Sequence, residues 1–465
     1  MKNNPLEKLK TQLDIIFNPS SVAVIGASRD PMKVGHVVLR NIVEAGYKGR
    51  IAPVNPKAHE ILGLKAYTSL LEVPFPVDLA IIVIPAPFVP QAMRECGEKR
   101  VKAIVVISGG FSEVDEEGEA LEKEVLEIAE EAGIRVVGPN CQGINNTHVG
   151  LCATWPLIKC KGGISLITQS GTLGAAFSCW AEEEGIGISK CVNLGNKADL
   201  NELDFLRYFG EDKESRVIAF YIEGVSDGRK FMDIASDISK RKPLIALKGG
   251  RSPAGSRAVF SHTGSMAGSD AVFDAVFKQT GVIRAKSLEE FYDFAKVLAY
   301  LPLPEGRGVF IVTSTGGSGI LAADACEDAG LTLTEPSEEA LKRLRSQLPS
   351  RCTFRNPFDL TTTTADKFRL VIEENGGNPD IHGFIAIFGD PIPNAAEEIK
   401  AASESVKKPI LVAYLGGGEV EKVEKTKMHS LGIPVFPSPE RAVAAYSALV
   451  KYSEFRKRAE NSLID

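Results

Sequence analysis

Among the six histidines of this chain, one stands where packing gives an imidazole no task. His262 lies within 251–270, RSPAGSRAVFSHTGSMAGSD, a run of small residues that reads as a loop between a strand at 244–247 and a helix beginning near Ser269. Glycines on either side of it permit a close approach to a ligand. His36, His59, His148, His382 and His429 sit among ordinary surface or turn residues and read as structural. No second histidine or cysteine lies at metal-ligand spacing and no serine occupies a G-x-S-x-G elbow, so no metal is expected and a hydrolase triad is disfavoured. The imidazole is left as a general base or as the nucleophile itself. A nucleophilic histidine needs one ring nitrogen free and the other held by an acceptor. Glu223, ending the strand 217–222 in the tetrapeptide YIEG, is the best-placed carboxylate.

A phosphorylated histidine carries about two negative charges, and the chain as a whole is acidic, with 54 Lys+Arg against 60 Asp+Glu and a net charge of −6. That balance gives no broad basic face for nucleic acid or an anionic membrane. Phosphate must therefore be held by local groups. Two segments offer them: Thr168 to Thr172, with Gln169, Ser170 and Gly171 between, and Thr315 to Gly319, with Gly316, Gly317 and Ser318 between. Each ends a strand and starts a helix, so each presents unpaired N–H groups and a positive helix end. One such end contributes ~0.3–1 kcal/mol toward an anion, rising to ~2 where partly buried.

A third glycine loop, Gly26-Ala27-Ser28-Arg29, lacks the G-x-G-x-x-G pattern of an NAD site. The second strand, where such a site would supply Asp or Glu, instead ends in Val54-Asn55-Pro56-Lys57. With Arg29 and Lys33 nearby, this corner suits a ribose phosphate, as in coenzyme A or NADP. Further strand ends, Ile84-Pro85, Ser108-Gly109-Gly110 and the Asn140-Cys141 pair of GPNCQG, are small and leave room for ligand along backbone amides. Cys141 reads as a small packing residue rather than a reactive thiol. The acidic stretch 113–131 reads as a solvated helix face.

These residues need rigid elements to position them, and a repeat supplies the plan. SVAVIGAS at 21–28, GISLITQSGTLG at 163–174 and GVFIVTSTGGSG at 308–319 share one grammar: a β-branched strand, a small-residue loop, then a helical pattern. Gly26, Gly171 and Gly317 lie 145 and 146 residues apart, so the 465 residues divide into three similar units. In the first, strands are expected over 23–25, 51–54, 79–84, 104–107 and 135–137, and helices over 35–45, 89–99 and 117–132. Strands at 217–222 and 244–247 continue the second unit, and strands at 383–388 and 410–414 the third. Continuous Val/Ile strands alternating with helices predict α/β domains, each a doubly wound, mainly parallel sheet that binds ligand at the carboxyl ends of its strands. Linkers are expected at 151–162 and 301–308, giving domains 1–150, 151–302 and 303–465. Residues 1–19 read as a short surface helix, not a secretory signal. The apolar run 79–89 is too short to cross a bilayer. Eight scattered cysteines with no Cys-x-x-Cys pair indicate a reducing cytoplasm.

Together SVAVIGAS, PVNPKA, VIPA, ISGGF, GPNCQGINN, LITQSGTLG, YIEG, SHTGSMAGSD and STGGSGILAADACE resemble the α subunit of ADP-forming acetyl-CoA synthetases, relatives of succinyl-CoA synthetase, over about residues 15–455. The resemblance implies a Rossmann-like CoA-binding domain followed by two flavodoxin-like domains. It also implies a ligase that converts acyl-CoA, phosphate and ADP reversibly into acid, CoA and ATP. An acyl phosphate forms, its phosphoryl group passes to the histidine matching His262 beside the glutamate matching Glu223, and the two later helix starts stabilise it. CoA and phosphate would bind here. ADP/ATP and Mg would bind a separate ATP-grasp-type β subunit in an α2β2 heterotetramer, because nothing in this sequence reads as a nucleotide site. The segment 314–318 departs from the Asn-Ala-Gly-Gly-Pro of similar chains, keeping backbone donors but changing side chains. The Asn-Pro-Phe-Asp-Leu at 356–360 reads as a structural turn or a partner contact. Two other readings of the residues are an NADP-dependent oxidoreductase, which leaves His262 idle, and a CoA-sensing regulatory module of an acyltransferase, which has no need of His262 and Glu223.

Overall fold

The computed structural model describes residues 12–263 and 268–461, with the side chains of 260–263 excepted. The chain forms two compact units, 1–284 and 285–465.

Among its described residues the first unit holds two large sheets and a small antiparallel pair, Glu60–Ile61 with Leu64–Lys65. In one, five parallel strands run in the order Arg50–Val54, Ser21–Ile25, Leu79–Ile82, Ala103–Val106, Arg135–Val137. The apolar run at 79–89 thus begins as the buried central strand Leu79–Ile82. Chain order reverses on either side of Ser21–Ile25, which opens a crevice beyond its carboxyl end. Gly26 sits there at φ +95°, and a Cβ on it would meet the Val83 carbonyl oxygen at 2.3 Å, so both conformation and space demand glycine.

In the second sheet the order is Ile283–Ala285, Leu244–Lys248, Val217–Ile222, Lys161–Thr168, Ile188–Asn193, Ile144–Asn146, Leu151–Ala153. Its core strands are parallel, and Ile144–Asn146 and Leu151–Ala153 extend it as an antiparallel hairpin. The reversal again falls beside the first strand, between the ends of Lys161–Thr168 and Val217–Ile222. Of residues 151–162, expected to link domains, Leu151–Ala153 is buried in this sheet and Lys161 already begins the next strand, while 154–160 carry no regular secondary structure.

Two further expectations change. The short N-terminal helix is seen over 12–17, and it is not merely superficial. Leu13, Ile16 and Phe17 are buried, and the Phe17 ring stacks on Tyr208 at 5.3 Å. Its apolar spacing of three and four residues forms one stripe, which the aromatic face of the helix Glu202–Glu211 covers. The segment 251–270 is not a continuous loop either, since Pro253–Thr263 is helical. Pro253 at the first position and the alanines favour the helix, while Gly255, Ser256 and Ser261 disguise it.

The second unit carries parallel strands in the order Thr332–Leu333, Gly308–Thr313, Gly383–Phe388, Ile410–Tyr414, Val435–Phe436, with Phe358–Asp359 also pairing Gly308–Thr313. The helix Leu288–Tyr300 packs on the long Pro439–Asn461 helix, and a buried Lys296 donates to the Val435 carbonyl at 3.0 Å. Among the described residues, no helix is long and apolar enough to cross a membrane.

Asn356 shows what the Asn-Pro-Phe-Asp-Leu turn does. Its side chain is buried, accepts from the Ile311 amide at 3.0 Å, and donates to the carbonyls of Val309 (2.8 Å) and Thr334 (3.0 Å). It is a structural tie. Asn356→Ala strands these three backbone groups and should lower the unfolding free energy of its unit by about 1–3 kcal/mol, read as a lower urea midpoint; an unchanged midpoint would contradict the assignment.

Candidate active site

At the reversal point of the second sheet the strand Lys161–Thr168 delivers Gln169 and the neighbouring strand Val217–Ile222 delivers Glu223. The Gln169 side-chain oxygen accepts from the amides of Glu223 and, at 3.4 Å, of Gly224, while the Gln169 amide donates to the Tyr221 carbonyl at 3.2 Å. Two strand ends are thereby stitched together. The Glu223 residue is 7 % exposed. Its Oε1 accepts from the Tyr221 hydroxyl at 3.3 Å, and its Oε2 is buried without a partner among the described residues. Burial, with Glu223 adding to it, raises the Tyr221 phenol well above its ordinary range, so that hydroxyl stays a donor.

Lys248 ends the next strand, Leu244–Lys248, and is buried as well. Burial pushes its pKa down against the opposing pull of Asp270 and Glu223. Its ammonium donates to the Gly249 carbonyl and lies 4.8 Å from the Phe273 ring centroid. From here the chain enters Pro253–Thr263, which carries His262; the imidazole lies outside the described side chains.

The helix Gly171–Glu183 starts directly after Gln169 and Ser170. Ser170 caps it, accepting from Leu173 N at 3.4 Å, and Thr168 Oγ1 locks the preceding turn by donating to Ser170 O (2.7 Å) and accepting from Ser170 N (3.1 Å). The first-turn amides of Gly171 and Thr172 have no helical carbonyl to bond and point to whatever occupies the crevice. In the second unit, Thr313 Oγ1 repeats this turn with Thr315 O (2.9 Å) and Thr315 N (3.0 Å). Gly316 and Gly317 stand exposed at the start of the helix Gly316–Asp328, whereas Ser318 and Gly319 are buried against the unit. A Cβ on Gly319 would meet Thr313 and Pro357 within 3.4 Å, so packing accounts for that glycine.

Along the first sheet, the predicted ligand corner divides into ties and open groups. Ala27 is buried, its carbonyl accepting from Asn55 Nδ2 at 2.7 Å, and the Asn55 oxygen accepts from Lys57 N at 2.8 Å. Val54 is buried and its carbonyl receives the Gly26 amide. Ser28 caps the loop through Asp30 N, and its carbonyl lies 2.8 Å from His36 Nδ1. Arg29, Lys33 and Lys57 project into solvent around the crevice, in no ion pair among the described residues. Ser108 Oγ bridges to Ile84, donating to its carbonyl and accepting its amide at 3.2 Å, and exposed Pro85 follows.

Sequence reasoning missed Glu113. Rather than belonging to a solvated helix face, it folds back to accept from the Gly110 amide (2.6 Å), from Phe111 N and from Asn196 Nδ2 (2.7 Å). Burial would raise its pKa, but these donors hold the carboxyl below its ordinary range. The Gly110 N–H, expected to face a ligand, is thus already engaged, while Gly109 stays exposed. Only the three-residue return from Gly110 to Glu113 hinted at this.

Asn140 and Cys141 from the first sheet and Gln169 to Thr172 from the second line one pocket of about 530 Å³. Missed from sequence were its other walls, chiefly Gln142, Trp155 and Asn193. Gln142 N donates to Asn193 Oδ1 at 2.7 Å, Gln142 Nε2 to the Trp155 carbonyl at 2.6 Å, and Asn193 Nδ2 to Thr168 O at 3.0 Å. A Cβ on Gly171 would come within 2.9 Å of the Gln142 side-chain oxygen, which explains the glycine at this helix start. Cys141 is buried, donates to Val106 O at 3.2 Å, and has its thiol pushed up to about 12 by that burial.

Three family models match the chain in sequence: a CoA binding domain over residues 20–147, a succinyl-CoA ligase-like flavodoxin domain over 161–298, and a ligase-CoA domain over 309–460. The acetate–CoA ligase [ADP-forming] I subunit alpha of Pyrococcus furiosus is 44 % identical over 96 % of this chain and 99 % of that protein. Acetate–CoA ligase [ADP-forming] I of Archaeoglobus fulgidus is 42 % identical over 95 % of this chain but only 64 % of its own length. A solved structure, described as the dinucleotide forming acetyl-coenzyme A synthetase 1 of Ca. Korarchaeum cryptofilum in complex with phosphate and ADP, superposes with a TM-score of 0.90 at 38 % identity, covering 97 % of this chain and 99 % of that one.

A thiol held at about 12 is almost wholly protonated near neutrality and a poor nucleophile. Iodoacetamide at pH 8 should modify the exposed Cys179 in the native chain and spare Cys141; peptide mapping that finds Cys141 labelled first would overturn its packing role.

Proposed function

The chain belongs to the ADP-forming acetate–CoA ligases, as a counterpart of their α subunits, and from that premise we propose how its residues divide the reaction. Acyl-CoA, phosphate and ADP are converted reversibly to acid, CoA and ATP. A phosphate oxygen attacks the thioester carbonyl, the CoA thiolate leaves, and an acyl phosphate forms. His262 then takes the phosphoryl group, releasing the carboxylate, and passes it to ADP.

The observation that carries this reading is the buried Glu223 Oε2 with no partner among the described residues. Leaving such an acceptor unpaired costs about 1–3 kcal/mol, a cost relieved when it receives an imidazole N–H. That hydrogen bond fixes the tautomer of His262 and leaves the other ring nitrogen free to attack. Gln169 sets Glu223 in place through its amide. The open first turn at Ser170, Gly171 and Thr172 receives the phosphoryl oxygens, and that at Gly316 and Gly317, with the Ser318 amide behind, serves as a second such end.

CoA occupies the first sheet's crevice. Its ribose phosphate is met by Arg29, Lys33 and Lys57, its chain passes Gly26, Ser28, Asn55 and the ends at Ile84–Pro85 and Ser108–Gly110, and its thioester reaches the pocket beside Asn140 and Cys141. An NADP oxidoreductase would leave the Glu223 site and the paired helix starts without a task. The domains 1–150, 151–302 and 303–465 then correspond to CoA, the histidine, and the second helix start.

An α subunit needs a partner, and we assign it ADP/ATP and Mg as an ATP-grasp-type β subunit in an α2β2 assembly. Support comes from the Archaeoglobus relative, about a third of whose length lies beyond the match. All eight cysteines are free, which suits work in the cytoplasm.

In the α–β complex, His262→Ala should reduce ATP formation from acetyl-CoA, phosphate and ADP by roughly a thousandfold or more. Retained activity would remove His262 from the pathway. Glu223→Gln should slow phosphoryl transfer about a hundredfold, since a misheld tautomer is the loss, while CoA affinity stays within about twofold. If turnover and CoA binding fell in proportion, Glu223 would be a structural residue only.

A further inference from the structure

The turn that follows Glu223 is held from two directions. On one side Gln169 accepts from the amides of Glu223 and Gly224. On the other, the Gly224 carbonyl accepts from Lys197 Nζ at 3.2 Å. The same ammonium donates to Glu202 Oε2 at 3.1 Å, and Glu202 Oε1 accepts from the Ser226 amide at 2.8 Å and its hydroxyl at 3.0 Å. Residues 224 and 226 are thus tied to one ion pair. Its side chains are only 16 % and 0 % exposed, so water screens it far less than a surface pair and its loss would leave a buried carboxylate unmet.

The backbone aims Lys197 at this turn. Lys197 sits at φ +57°, a conformation that costs a non-glycine residue energy and persists only where its surroundings enforce it. The first sheet enforces it: on either side, Asn196 N donates to the Pro139 carbonyl at 2.9 Å and Ala198 N to the Gly138 carbonyl at 3.1 Å. Asn196 Nδ2 also donates to Glu113 (2.7 Å) and Glu122 (2.8 Å), and its Oδ1 accepts from Asn140 Nδ2 at 3.2 Å. A Cβ on Gly195 would come within 2.1 Å of the Pro139 oxygen, so the loop lies directly on the strand end that carries Asn140.

Resting on the ligase reading above, we infer that Lys197 is a positioning residue for phosphoryl transfer: braced on the first sheet, it holds the Gly224 peptide and thereby sets Glu223 against the imidazole of His262. Gln169 grips only the amide side of that peptide. With Lys197 on the carbonyl side, the turn is held against rotation about the strand end. Lys197 itself does not line the pocket that receives the thioester, so its loss falls on the transfer step and not on CoA binding.

The test uses the α–β complex and measures the single-turnover rate at which labelled ATP with Mg phosphorylates His262, alongside CoA affinity. Lys197→Met should slow phosphorylation by about tenfold or more while CoA affinity stays within about twofold, and Lys197→Arg, which keeps a charged donor, should stay within about threefold of the parent rate. In a Glu223→Gln background Lys197→Met should add less than about twofold, because a residue that acts through Glu223 then has nothing left to position. Asp199 ties the same loop to Arg135 and to the Val136 amide, each at 2.8 Å, without touching Gly224. Asp199→Asn should therefore leave the rate within about twofold. If thermal unfolding shows that Lys197→Met does not fold, Lys197→Met/Glu202→Gln removes the orphaned charge and carries the same expectation. Folded variants that react at the parent rate, slowing by Asp199→Asn equal to that by Lys197→Met, or an effect fully additive with Glu223→Gln overturns the assignment. If the parent takes no label on His262, the ligase reading itself fails and this assignment falls with it.

Discussion

Burying a carboxylate is tolerable only when its oxygens find donors, and the arrangement around Glu223 is organised by that requirement. One oxygen is met by Tyr221, the other by nothing among the described residues. Gln169 holds the Glu223 backbone from the adjoining strand, which fixes where the side chain leaves the strand end. Lys248, buried one strand further on, adds a positive charge whose pKa burial lowers. The segment that follows, Pro253–Thr263, carries His262, the partner proposed for the unmet Glu223 oxygen.

Sheet topology dictates where such a site can be. In each of the three large sheets the first strand of the parallel series lies between the next parallel strand of the chain and a later one. That reversal leaves a crevice at the carboxyl end each time. The chain uses the three crevices differently: glycine with exposed cations at Gly26, a buried carboxylate with a capped helix at Gln169 and Glu223, and an open diglycine helix start after Thr315. Thr168 and Thr313 make the same two hydrogen bonds across the turn, so the second and third loops share a conformation as well as a position. The acidic net charge sharpens the point: it leaves oriented amides and a few local cations, not a general field, to attract an anion.

Much of this was legible in the sequence because parallel strands buried on both faces must read as Val/Ile runs, and the strands 217–222, 383–388 and 410–414 appear within the expected bounds. Glu223, Gln169 and the two helix starts were legible too, since each sits where a strand pattern stops. What escaped depends on contacts that no local pattern records. Glu113 turns back onto Gly110 from what looks like an acidic helix. Asn356 bonds a strand 45 residues away, and Phe17 finds Tyr208 on a helix far along the chain. Gln142 and Trp155, the pocket walls, are ordinary residues placed at the site by a hairpin that joins the second sheet. The helix at Pro253–Thr263 hid behind serine and glycine, whose weak propensity tertiary packing overrides.

The central claim is that His262 carries the phosphoryl group, and it is tested most directly on the protein after turnover with acetyl-CoA and radiolabelled phosphate together with the β subunit. The predicted result is an acid-labile, alkali-stable label on the peptide containing His262, absent from His262→Ala. Equal labelling of the two chains, or a label resting on any other residue, would contradict the account.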